Sequence, residues 1–441
     1  MLENVSYQRH HQRHHQRRNS PSKPSIKSLA IELPTKKLTA AILGISASAV
    51  LVVTTPNAYA EEKAEENAAS ITDALTSGKG FGSFRLRYEG VDDDAAADDA
   101  NALTLRTLVG YKTGSFNGFS GVVSAEDVRI VAGEGDYSVP PTGYQTGEYA
   151  VIADPETTEL HEAYVQYSSE MFSARLGRQA INLNNQRFVG AVAWRQDFQT
   201  FDALQLAYRP IKDLSLSFTQ IDQRNRIFAE AQDIDSSDQL YDVSYKTPIG
   251  TVAGYYYSLE ADTADDSLDT VGAFLAGDKK FGEFPLLYRA ELATQEFGDA
   301  EADYAHFFAG TKVGMVNFGL GYELLGSDDG GYGFATPLAT LHKFNGWADK
   351  FLGTPAEGLQ DFYLSVGTKV SGFTLKAVYH NFTSDEENAG GEDDLGSEIN
   401  LLAVKKFGRY TVGAKYANYS EGDFSPREDT QKIWLWTQVA F

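Results

Sequence analysis

The feature that most constrains this chain is a period-two alternation of apolar and polar residues, repeated in segments of about ten residues. Phe84, Leu86 and Tyr88 alternate with Arg85, Arg87 and Glu89. Leu103, Leu105, Val109 and Tyr111 share a face of the next segment, with Arg106 and Lys112 opposite. Tyr241, Val243 and Tyr245 alternate with Asp242 and Ser244, and Phe373, Leu375, Ala377 and Tyr379 with Thr374, Lys376 and His380. Each segment is a strand with one apolar and one polar face. A soluble β-sandwich alternates in the same way, so the connectors decide. Short ones are expected at Thr113–Gly118, Ser168–Glu170, Arg209–Asp213, Thr247–Gly250, Gly277–Phe284, Lys312–Met315, Lys369–Gly372 and Phe407–Arg409. Long ones fall between them, at Gly90–Ala102, Arg129–Thr158, Ala180–Phe198, Gln223–Asp238, Glu260–Ser267, Glu296–Ala302, Gly326–Leu359, Thr383–Gly396 and Ser420–Glu428. Strict short–long alternation is the outer-membrane pattern. The chain therefore reads as all-β: over residues 80–441, a transmembrane antiparallel β-barrel of about 18 strands, with short periplasmic turns and long extracellular loops. The facing of the segments near 159–179 and 398–404 is left open by the pattern.

Composition agrees. Mean hydropathy is −0.33, and a single apolar run, Leu38–Thr55, stands where a helical membrane protein would need several. The 24 Tyr, 26 Phe and 40 Gly suit a barrel with aromatic girdles and tight turns. There is no Cys, which excludes thiol catalysis and Cys-ligated zinc and fits passage through an oxidising compartment.

The apolar run follows Lys36-Lys37 and ends at Pro56-Asn57-Ala58-Tyr59-Ala60. A basic stretch, an apolar stretch and an A-x-A site make an export signal, cleaved after Ala60. Upstream lies a tract from His10 to Arg18, rich in His, Gln and Arg, which reads as an extended basic region or as sequence ahead of the true start. Residues 1–60 are set apart from the fold, and 61–79 read as a short periplasmic segment.

The net charge is −23. Residues 1–60 hold eight of the bases and two of the acids, so the rest keeps 30 against 59, or −29. Such a surface does not seek nucleic acid. The acids sit in connectors, as at Asp92-Asp93-Asp94 and Glu392-Asp393-Asp394. They read as solvated loops; the other reading is divalent-cation bridging to lipopolysaccharide. The last segment, Lys432–Phe441, alternates and ends on an aromatic ring, which resembles the recognition signal of the outer-membrane barrel insertion machinery.

Permeation needs charge on the lumen wall. Arg85, Arg87, Arg106, Arg175, Arg289 and Lys376 face inward by parity, with the acids Glu126, Glu162, Asp242, Glu291 and Glu323. Arg187 and Arg195 belong to the Ala180–Phe198 connector, which would act as a constriction if it folded into the barrel. A basic stripe of this kind attracts anions; pairing with the inward acids would instead make it a salt-bridge lattice. The enzyme alternative finds neither G-x-S-x-G nor H-E-x-x-H, and the post-signal histidines are only His161, His306, His342 and His380. His342 reads as a loop-stabilising hydrogen-bonding residue. No cofactor is implied.

Two stretches are more particular: Gly177-Arg178-Gln179 continuing as AINLNNQRFVGAVAWRQDFQTFDA, and Phe334–Tyr363, FATPLATLHKFNGWADKFLGTPAEGLQDFY. Both resemble the alginate export family of outer-membrane channel proteins. The resemblance implies a single barrel carrying hydrophilic, often anionic, sugar-like solutes. A general diffusion porin is the alternative. Every short turn is too short to form a periplasmic plug, so any gating falls to the extracellular loops.

Overall fold

The computed structural model describes residues 67–133, 136–139, 147–282, 284–425 and 427–441. The His10–Arg18 tract, the apolar run and the Ala60 site lie outside the described residues. The strands are β1 (Lys79–Asp93), β2 (Ala100–Lys112), β3 (Phe119–Ala132), β4 (Thr157–Ser168), β5 (Phe172–Gln179) and β6 (Thr200–Tyr208). They continue as β7 (Leu214–Asn225), β8 (Ile234–Thr247), β9 (Gly250–Leu259), β10 (Leu268–Phe281), β11 (Phe284–Phe297), β12 (Ala300–Val313) and β13 (Val316–Leu325). A two-residue ribbon, β14 (Ser327–Asp328) and β15 (Tyr332–Gly333), opens a long loop. Then come β16 (Leu359–Val370), β17 (Phe373–Thr383), β18 (Asp394–Phe407), β19 (Tyr410–Ser420) and β20 (Thr430–Ala440).

Apart from the ribbon, the strands form one 18-stranded antiparallel sheet, each paired to its neighbours in chain order. β1 pairs with both β2 and β20, so the barrel is closed and no edge is left exposed. The final residue completes the seam: Gly82 and Phe441 exchange both backbone hydrogen bonds at 3.0 Å. No described helix is long and apolar enough to cross a membrane; the crossing is made by strands.

Alternation sets the two faces. Leu176, Val243, Leu292 and Leu401 stand exposed on the outer wall, while Arg87, Glu89, Glu323 and Glu398 are buried within. A charge turned outward at mid-depth would cost about 2–4 kcal/mol, which keeps the ionic residues of these strands inside. The two segments of open facing resolve differently. In β18, Glu398 and Asn400 point inward and Ile399 and Leu401 outward. In β4 a bulge intervenes: Glu162 opposes Ser124 and Leu160 opposes Ala125, leaving His161 as the extra residue.

The connectors correct the expected layout in two places. Glu296–Ala302 is not a long loop, because the β11–β12 ladder runs on to Phe297 opposite Ala300 and turns through two residues, with Gly298 at φ +60°. The Gly277–Phe284 turn is likewise shorter, since β10 and β11 stay paired as far as Phe281 and Phe284. Length alternation is therefore broken at one extracellular position.

Ahead of β1, Ser70 caps the short helix α1 (Ile71–Thr76) by accepting from the Asp73 N–H at 3.1 Å. The helix is held to the short-turn end of the barrel: Gly114 N donates to Ala74 O at 2.8 Å and Tyr111 Oη to Leu75 O at 2.6 Å.

Candidate functional site

Two long connectors do not stay outside. Residues 180–199 and 326–358 turn into the barrel, and their apolar side chains explain why. Ile181, Leu183, Phe188 and Val189 from the first, and Phe334, Leu338, Trp347 and Phe351 from the second, share one buried cluster with wall residues such as Ile221, Tyr255, Tyr304 and Phe382. In extracellular water these groups would each forfeit about 1.5–3 kcal/mol of burial. The loops also join each other. Val189 and Leu338 form a parallel bridge, Gly190 N donates to Leu338 O at 2.8 Å, and Thr340 N to Gln186 O at 3.1 Å. Gly190 is required there, since a side chain would fall onto Thr340. From the next connector along β3, Tyr137, Val139 and Ile152 share a buried cluster with Val91 of β1 and with Ala100 and Ala102 of β2.

Most of the charges singled out from the sequence are engaged by these loops. Arg85 and Arg106 stand directly opposite on β1 and β2. Arg85 donates to Gln196 Oε1 at 2.8 Å and to the carbonyl oxygens of Ala193 and Arg195. Arg87 is paired with Asp154 and, at 3.4 Å, with Glu89. Arg106 lies 3.7 Å from Glu126 and 4.6 Å over the Phe198 ring, while Glu126 accepts from Phe198 N at 3.2 Å. Glu162 accepts from Ala180 N at 3.1 Å, where the first loop begins. Arg175 sits lower, donating to Gln166 at 2.7 Å over the Tyr164 ring.

The loop arginines reach the wall from the other side. Arg187 pairs with Glu323 at 2.8 Å and donates to Asn345 Oδ1 at 3.0 Å. Arg195 holds both oxygens of Glu89 at 3.1 Å and Asp349 at 2.9 Å, and its pKa is raised because these carboxylates outweigh burial. Arg289 pairs with Glu291 at 2.7 Å and lies 3.9 Å over Phe274.

The second loop carries polar residues that parity could not reach. Its NGWAD turn places Asn345 and Gly346 at positive φ, so that Trp347 N and Ala348 N both donate to the Glu398 carboxylate. His342 Nδ1 donates to Asp349 Oδ1 at 2.6 Å, and His342 Nε2 accepts from Lys415 Nζ at 2.5 Å. Burial pushes the pKa of this loop imidazole down to about 3, so the ring is neutral and free to accept. Asp349 is held well below the carboxylate range: burial opposes this, and is outweighed by His342, Lys432 and Arg195.

Each of the eighteen barrel strands turns a buried residue inward at the depth of these loops, from Glu89 on β1 and Thr104 on β2 round to Lys415 on β19 and Trp434 on β20. The middle of the barrel is therefore bounded by loop residues as much as by wall. Below them, toward the short turns, Lys376 on β17 and Lys343 on the second loop remain exposed to the lumen.

The barrel fold is shared with solved structures. OccAB4 of Acinetobacter baumannii superposes with a TM-score of 0.65 at 15% identity, over 82% of this chain and 98% of that one. OpdK of Pseudomonas aeruginosa gives 0.66 at 13%, over 83% and 99%, and OccK9 (OpdG) of the same organism 0.66 at 14%, over 83% and 100%. These likenesses show the fold. The family profile described as alginate export matches residues 81–325, more than half of the chain. The chain belongs to the alginate export family. No protein of curated function matches it. The matched span takes in the first lumen loop, so the 177–203 motif falls within the part of the chain that shows this alginate export family. The second motif, 334–363, lies beyond the match and bridges to the first through Leu338 and Val189. It is an outer-membrane channel protein, and among its described residues no cluster of three His, Asp or Glu is placed to hold a metal.

Proposed function

We propose that the channel passes hydrophilic, anionic, sugar-like solutes. One observation carries this reading. Lys343 and Lys376, exposed to the lumen, and Lys415, buried at the depth of the loops, have no carboxylate at ion-pair distance among the described residues, and Arg289 has only Glu291. Enclosure by the barrel, with the charges of Lys376 and Arg289, pushes the Lys343 pKa down to about 8. An excess of cations in a narrow passage is relieved by an anion entering it. The aromatic faces of Phe344 and Trp347 beside these cations suit the apolar face of a sugar ring.

The test is the reversal potential in a KCl gradient. The wild type should favour chloride, and Lys343→Gln with Lys376→Gln should cut that preference several-fold. Lys343 loses its charge as pH rises through about 8, so anion preference should fall from about pH 7 to about pH 9, and should not do so in Lys343→Gln. Cation preference unchanged by the double substitution would overturn the reading. A general porin is then favoured, supported by the paired state of Arg87, Arg187 and Arg195.

The histidines offer a hydrolase little. His161 packs on Phe198, and His306 bonds Tyr363, His342 bonds Asp349 and Lys415, and His380 bonds Asp361. Among the described residues none of these rings is hydrogen-bonded to a Ser or Thr hydroxyl.

Export and assembly complete the proposal. Cleavage after Ala60 should give outer-membrane material whose intact mass begins at Glu61; retention of the His10–Arg18 tract would refute it. The insertion machinery is proposed to read the β20 terminus. Phe441 holds Gly82 and packs its ring 5.9 Å from Phe84, so Phe441→Ala should lower the yield of heat-modifiable barrel. Equal yield would remove that role.

A further inference from the structure

The chain has four tryptophans, and all four meet at one point inside the barrel. Trp194 comes from the first lumen loop, Trp347 from the second, and Trp434 and Trp436 from β20. Trp194 stacks on His342 at 4.8 Å and meets Trp434 and Trp436 edge-on at 5.7 and 5.5 Å. In a membrane barrel indoles commonly serve the outer girdles; here they enclose an ammonium group. Lys415 Nζ lies 3.9 Å from the Trp347 ring, 4.2 Å from Trp194 and 5.5 Å from Trp434. Lys415 is only 7% exposed, and among the described residues its one hydrogen-bond partner is the neutral His342.

The same indole has a second cation beside it. Lys376 Nζ is 6.0 Å from the Trp347 ring and remains exposed to the lumen. Lys376 and Lys415 stand in register across β18, both opposite Leu402, so their strands are about 9.5 Å apart. Trp347 thus stands between a hydrated ammonium and a buried one. A buried ammonium held by ring faces and an imidazole is incompletely satisfied, because a carboxylate would give it a charge-assisted hydrogen bond. A saccharide bearing a carboxylate could supply that bond to Lys415 and Lys376 and lay its apolar face on the indole it moves.

We propose that Lys376 and Lys415 are two halves of a carboxylate-saccharide site divided by the Trp347 ring, and that its occupation swings that ring aside. One wall cation touches an indole of each loop, so its transfer to a solute loosens both of those contacts. The choice of solute rests on the anionic-saccharide reading above; the site itself rests on the indole cluster.

The probe is galacturonate added to the full-length protein in detergent, read by tryptophan emission, since every indole lies at the site. Galacturonate should shift the emission saturably to the red, whereas galactose and acetate should not. Lys376→Gln should keep the resting emission and weaken the response by about tenfold, the loss of one charged contact. Lys415→Met should show a red-shifted resting emission and no response, with heat-modifiability confirming that the barrel has formed. No shift with galacturonate, an equal shift with galactose or acetate, or a response surviving both substitutions would overturn the site. Chloride preference without a galacturonate response would sink the site and leave the proposed function standing. A galacturonate response without chloride preference would do the reverse.

Discussion

Replacing Arg187 with Ala should release both lumen loops while leaving the barrel assembled. Arg187 is fully buried and is the cation facing Glu323, which also accepts from Tyr304 Oη and Asn345 Nδ2, each at 2.8 Å. Removing it strands a carboxylate in a dry interior, a loss of about 3–5 kcal/mol. It also deprives Asn345 Oδ1 of a donor in the turn that presents Trp347. The wall ladder around Glu323 is made by backbone pairing and is untouched. Hydrogen exchange should therefore quicken in 180–199 and 326–358 but not in β12, β13 or β16, and single-channel conductance should rise. Unchanged protection in both loops would show that apolar packing alone holds them.

The triple change Arg85, Arg87 and Arg106 to Gln should act first on architecture and only then on selectivity. These three arginines suggested an anion-attracting stripe by parity. In the folded protein Arg85 holds carbonyl oxygens of the first loop and Arg87 holds Asp154 of the 133–156 connector, while Arg106 faces Glu126, which in turn holds Phe198 N. Glutamine cannot neutralise Asp154 or Glu126, and breaking the Arg87 pair alone costs about 3–5 kcal/mol. We expect conductance to rise and become noisy, with the chloride preference set by Lys343 and Lys376 largely retained. A clean loss of anion permeability at unchanged conductance would return the selectivity role to the arginines.

The wall was legible because a period of two leaves little else to be built from Phe84–Glu89 or Phe373–His380. Its two misread connectors, Glu296–Ala302 and Gly277–Phe284, have one physical source: the ladders stay paired beyond the alternation. Around Glu296 and Glu301, polar residues on both faces hide the alternation although the strands still pair. The lumen was less legible, since a connector has no period to show which way it turns. A signal was nonetheless there: Ile181, Leu183, Phe188 and Val189 are poor choices for an exposed loop, as is a Trp in each of two loops. Which partner each arginine takes depends on carbonyl groups and on residues over a hundred positions away, such as Gln196 for Arg85, and no local pattern encodes that.

The bridge between Val189 and Leu338 has a consequence for how such channels diversify. Strands can exchange side chains one at a time, because each sees its neighbours through a uniform backbone ladder. The two loops cannot, since Gly190 is fitted to Thr340 and Arg187 to Asn345. They are one component encoded in two stretches about 150 residues apart along a chain whose strands pair in register. Grafting a new passage onto this scaffold therefore requires moving both stretches together, and a chimera carrying only one would keep its wall and lose its constriction.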